Sequence, residues 1–230
     1  MKYFKMSACL ILCLLFFVAV PCGKVAAQQG RSARGPQTTT KGVALQPGVK
    51  ALNPDQIVKL RKLSGVGRRG FVKNPEYRTS IGGTVGVDKD WSQITLEYAT
   101  APEWVDDLTF QFYAVSVAMI EGVKTYSFYK SAVRYSDIER GVNHTCTMFL
   151  RPSAVKRFGE LFAVAVEVSF KGMVVDEMTE ETQKMPPKWW KDPTVVENPT
   201  TVAREGYLLN RAQSPFALIS GPNEGFEFIR

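Results

Sequence analysis

"WSQITLEYATAPEWVDDLTFQFYAVSVA", residues 91–118, alternates oily and polar side chains with a period of two, breaks, and resumes. Ile94, Leu96 and Tyr98 point one way and Thr95 and Glu97 the other, the pattern of a strand with one buried face. The alternation stops at Pro102, Asp106 and Asp107 and returns with Leu108, Phe110 and Phe112. From Ala114 to Met119 both parities become apolar or small, as a central strand covered on both faces requires.

Working outward, "EGVK" with Gly122 turns the chain into "TYSFYKSAVRY", an aromatic and β-branched run. "HTCTMFL" (144–150), "LFAVAVEVSF" (161–170) and "MVVDEM" follow, the last two joined by Lys171 and Gly172. "RPSAVKRFGE" between them reads as a short helical crossover. Six or seven strands with short connections and little helix predict an all-β sandwich. After Met178 the pattern dissolves into a Pro-interrupted loop carrying Trp189 and Trp190, and order returns at "GYLLN" and "SPFALIS", which reads as a last strand. "GFEFIR" at the end predicts an edge strand.

Upstream the chain reads differently. Lys2 and Lys5 precede the apolar run "ACLILCLLFFVAV", then Pro21 and "KVAAQ", the layout of a signal peptide cleaved after Ala27. A lipoprotein site at Cys22 is disfavoured by Pro21. The apolar run falls short of the roughly 20 residues that span a bilayer. Residues 28–50 are polar and Gly-rich and read as flexible. "NPDQIVKLRKLSG" carries helix signals at both ends, Asn53 and Pro54 before and Gly65 after, with Ile57, Leu60 and Leu63 as an apolar stripe; it predicts a helix over 54–64. The expected organisation is a signal peptide over 1–27, a flexible basic arm with that one helix over 28–75, and a sandwich over 76–230.

The formal net charge of +7 hides a division. Residues 28–73 hold ten Lys or Arg against Asp55, or +9, whereas 74–230 hold 16 basic against 21 acidic residues, or −5. A basic arm joined to an acidic body suits a protein neighbour, a second copy or an anionic surface, and the export signal makes nucleic acid the least suited partner. Three of the four cysteines fall inside the leader, leaving Cys146 alone, so no intrachain disulfide can form and the fold must rest on its core.

Candidate chemistry is sparse. "GVGRRG" (65–70) spells a glycine-rich phosphate motif, but a helix is expected before the glycines rather than after them, so it reads as a flexible basic hinge and not a nucleotide site. Asp88, Asp90, Asp106 and Asp107 could gather around calcium or simply shape turns. His144 lies mid-strand with no recognisable nucleophile beside it, and no zinc-ligand spacing occurs. These observations predict a non-enzymatic protein without cofactor or metal. The residues expected to meet a partner are Trp189 and Trp190 on the loop, whose rings could stack on a sugar or close the sandwich, together with Ile57, Leu60, Leu63, Arg68 and Arg69 of the arm.

The run 91–115 and the late "LLNRAQSPFALIS" resemble secreted immunoglobulin-like proteins encoded with type IV pilus components in Verrucomicrobia such as Akkermansia. The resemblance spans Trp91 to Ser220. It implies an immunoglobulin-like sandwich in a pilus-associated or envelope-associated protein, exported to the periplasm, the outer membrane or the medium. No catalytic residue comes with it. The expected function is envelope assembly or adhesion through protein contacts, with homo-oligomers formed through the arm; the alternative is a module binding mucin glycan through Trp189 and Trp190.

Overall fold

The computed structural model describes residues 56–78, 84–85, 89–219 and 227–228. The expected signal peptide, most of the expected arm, Asn53, Pro54 and Asp88 lie outside them. The chain is all-β. Its strands are β1 (Val58–Ser64), β2 (Phe71–Lys73), β3 (Tyr77–Arg78), β4 (Thr84–Val85), β5 (Asp90–Val105), β6 (Leu108–Ile120), β7 (Val123–Ser136), β8 (Ile138–Leu150), β9 (Leu161–Phe170), β10 (Met173–Glu181), β11 (Thr201–Ala203), β12 (Leu208–Asn210) and β13 (Glu227–Phe228). Two short helices intervene, α1 (Pro152–Phe158) and α2 (Pro193–Val196).

Two sheets pack face to face. The first runs β1-β5-β8-β12, with β2 on the same edge of β5 as β1; the second runs β10-β9-β6-β7-β11, with β13 farther along β7. Among the described residues β3 and β4 pair only with each other. The core lies between the sheets, where Ile94, Leu96 and Tyr98 of β5 meet Phe110, Phe112 and Ala114 of β6, all with no exposed surface. Tyr98 sits against Phe110 with ring centroids 4.9 Å apart. The expected alternation therefore points inward on both strands. The hairpins β6–β7 and β9–β10 turn on Glu121-Gly122 and Lys171-Gly172, each pair with positive φ, which suits the right-handed twist of the flanking strands.

Three expectations are overturned. Residues 58–64 form strand β1 and not a helix, paired with β5 from Val58 opposite Thr100 to Ser64 opposite Thr95. A register shift between Leu60 and Lys62 inserts one extra residue, so Leu60 and Leu63 share the buried face although three positions apart. That bulge imitates the spacing of a helical stripe. β1 and β2 thus belong to the sandwich, and its first strand starts well before residue 76. Likewise "SPFALIS" makes no strand: Pro215–Leu218 is a 3-10 turn, begun by the Ser214 hydroxyl accepting from the Phe216 N–H at 3.2 Å.

β1 is an edge strand, and β10 of the opposite sheet closes it. The Leu60 N–H donates to Asp176 Oδ2 at 2.9 Å, and the Val66 N–H to Glu180 Oε2 at 3.2 Å. Carboxylates thus occupy edge donors that another chain could otherwise pair with. Gly65 and Gly70 let the following turn lie on β5: a Cβ would come within 2.6 Å and 2.7 Å of the Gln93 carbonyl oxygen, and Gly65 has φ +140. The glycine-rich segment is a packed turn with buried ends, not a hinge.

Candidate interaction surfaces

The paired tryptophans are the first candidate. Residues 182–200 cross the outer face of the β9-β6-β7 sheet as a strap. Its start is held by the Thr182 N–H and hydroxyl donating to the Phe162 carbonyl, and its end by the Tyr126 N–H donating to the Thr200 carbonyl at 2.8 Å. Trp189 is 1% exposed and Trp190 5%, packed with Tyr113, Val115, Phe128, Phe162, Ala163 and Ala165. Trp189 meets Phe128 edge-on at 6.3 Å and Trp190 at 5.7 Å. No indole face is offered to a sugar: of the two roles open to Trp189 and Trp190, stacking on a partner and folding back on the sandwich, their burial fits the second.

Charged groups clasp the strap. Lys191 forms an ion pair with Glu167, a β9 residue buried on the same face, and the Tyr113 hydroxyl donates to Glu167 Oε2 at 3.2 Å. Burial works to raise the Glu167 carboxyl. The Lys191 ammonium, the Trp190 indole and the Tyr113 hydroxyl more than offset it and hold the group below the ordinary carboxylate range. Burial beside that carboxylate pushes the Tyr113 phenol up to about 12. Farther along, Lys188 pairs with Glu177 of β10 at 2.9 Å.

The arm residues divide. Ile57, Leu60 and Leu63 are buried in the main core and cannot reach a partner. Arg68 and Arg69 are exposed on the 3-10 turn Gly67–Gly70, Arg68 paired with Glu160 at 3.0 Å.

The remaining sequence candidates have structural occupations. Asp107 pairs with Arg134, Asp106 accepts from the Asp137 N–H at 3.0 Å, and Asp90 pairs with Lys73 at 2.8 Å. Among the described residues no His, Cys, Asp and Glu gather as a metal site would require. His144 is buried against Tyr98, its ring nitrogen 3.1 Å from the Thr100 hydroxyl, and burial lowers its pKa. Cys146 is fully buried and burial pushes its thiol up to about 12, which makes it an inert core residue.

A groove that no sequence pattern announced lies at the α1 end of the molecule. It has a volume of about 710 Å³. Trp91, Leu209, Pro152 and Pro215 supply apolar surface, and Lys89, Arg151 and Lys156 stand exposed around it. The β5 start places Trp91, β12 places Leu209, and the entry to α1 places Arg151 and Pro152. Beneath it Phe149 and Phe216 stack at 4.3 Å, and the Trp91 indole N–H donates to the Asn74 side-chain oxygen. The sequence hid the groove because its residues come from four separated stretches.

No curated protein matches the chain. A crystal structure of a protein from Akkermansia muciniphila is similar, with a TM-score of 0.61 and 25% sequence identity, covering 76% of this chain and 93% of that one. One protein-family model matches residues 71–221, which is 151 of 230 residues. Covered over more than half its length by that model, the chain belongs to the family the model defines.

Proposed function

We propose that this is an exported, non-enzymatic protein of the cell envelope, of immunoglobulin-like type, working in pilus-associated assembly or adhesion through protein contacts. The observation that carries the reading is the similarity to the Akkermansia muciniphila structure, which extends over nearly all of that chain. Strand order supports the fold type. The orders β1-β5-β8 and β10-β9-β6-β7 are those of strands A-B-E and G-F-C-C′ in an immunoglobulin Greek key. The family match and the burial of the titratable candidates support a role by contact rather than chemistry.

The test is crosslinking in intact cells, followed by mass spectrometry of the adducts. The expected result is covalent joining to envelope or pilus components. Recovery from the cytosol without such adducts would remove the reading. Self-association through the basic residues 28–55 has its own test, because β1 begins only at Val58. A mature chain shortened to start at residue 56 should show a lower mass by light scattering, and an unchanged mass would dismiss the arm as the oligomer contact.

A further inference from the structure

We propose that the groove beside α1 receives a short extended segment of a partner protein that carries acidic residues and an aromatic or aliphatic anchor. This rests on the protein-contact reading above and names the partner chemistry for one face. Among the described residues Lys89, Arg151 and Lys156 have no ion pair and no Asp or Glu lines the groove. They form a local basic rim on a body whose residues 74–230 carry −5, so attraction for an acidic ligand is concentrated there.

The interior of the groove supplies the apolar half of the recognition. Half-buried Pro152 and Pro215 present the apolar surface, over a floor of Trp91 and Leu209 that is itself buried, each 7% exposed, and Trp91 is fixed by its bond to Asn74 and by its edge-on contact with Phe216 at 5.9 Å. A rigid apolar floor with charged groups around it is how peptide grooves combine anchoring with orientation. On the same turn as Pro215, Leu218 is 83% exposed, and Ile219 after it 41%. A bare ion would use the rim and leave this apolar surface idle. An acidic segment with an apolar residue uses both.

The test is fluorescence anisotropy of the mature full-length chain with labelled peptides of about ten residues that alternate Glu with Phe, Glu with Ser, or Lys with Phe. The Glu-Phe peptide should bind best. Replacing Lys89, Arg151 and Lys156 by Glu should weaken it by about tenfold or more, while Arg68→Glu with Arg69→Glu leaves it unchanged. Equal binding of the Glu-Ser peptide, equal loss in the Arg68 and Arg69 variant, or no binding at all would overturn the proposal. Tighter binding after removal of residues 220–230 would instead assign the groove to the chain's own tail. Retention on phosphatidylglycerol vesicles through the same three cations, without peptide binding, would assign it to a membrane surface. If the peptides fail while envelope crosslinks persist, only the groove proposal falls; if the crosslinks also vanish, the functional reading falls with it.

Discussion

The two outer faces of the sandwich are built on opposite terms. On the β9-β6-β7 sheet the outward side chains include Tyr113, Val115, Phe128, Ala163 and Ala165, and a strap bearing Trp189 and Trp190 covers them. On the β1-β5-β8 sheet the outward residues opposite one another are Thr95 with Thr147 and Glu97 with Thr145, and no strap crosses them among the described residues; of the four only Thr147, next to the cover over Phe149, is buried. Only near β12 does this face turn apolar, at Phe149, and there Leu209 and Phe216 cover it. The chemistry of the outward parity thus decides where the chain must lay down another layer. Apolar surface left facing water costs about 25 cal/mol per Å², so a strap over an oily face is a stabilising element rather than a loop at leisure.

The comparison can be broken most forcefully at Trp189. Trp189→Ala should cost about 3–5 kcal/mol in urea unfolding, because it empties a site closed on all sides. A cost below about 1 kcal/mol would show the strap to be incidental. Next comes Gly65→Ala in the turn that lies on β5, where a Cβ meets backbone and the positive φ adds strain; a loss of roughly 1–3 kcal/mol is expected from thermal unfolding. Lys191→Ala, which removes one arm of the strap's clasp, should cost about 1 kcal/mol, since the lysine itself is half exposed.

The same clasp gives a pH dependence. The Glu167 carboxyl is held below its ordinary value in the folded chain, so its contribution is present above the unfolded carboxylate pKa of about 4.3 and is lost as pH falls through the lower folded value. The stability advantage of the wild type over Lys191→Ala, read by urea unfolding with tryptophan fluorescence, should therefore be full at neutral pH and shrink as pH falls below about 4.3. A gap that stays constant with pH would separate Glu167 from strap stability. The smallest effect belongs to the bare face: Thr95→Ala should change stability by no more than about 0.5 kcal/mol. A larger loss would mean that this face, too, is covered.

Much of this contrast was written in the chain. The oily run at both parities from Ala114 to Met119 announces a strand covered on both sides, which holds through Ser116 and fails at Met119, 67% exposed; β9 is buried at every position from Leu161 to Val168, beyond what its alternation announces. The polar parity of Thr95 and Glu97 announces the bare face. What the pattern could not decide is whether Trp189 and Trp190 close the sandwich or meet a partner, because they stand in a Pro-rich stretch without period, where burial depends on contacts far away in sequence. β1 was misread for a definite reason. A bulge converts a period of two into a step of three, and the Asn-Pro and Gly signals around it are shared by helices and by strand ends. The groove was illegible because its walls meet only after folding.

Native-state hydrogen exchange on residues 182–201 tests the layered account most directly. If the strap is an integral layer, the amides of Thr182, Val196 and Thr201, which donate to Phe162, Asp192 and Asn198, should be protected to nearly the same free energy as those of β9. Exchange of these amides at the rate of an open loop, while β9 stays protected, would contradict it.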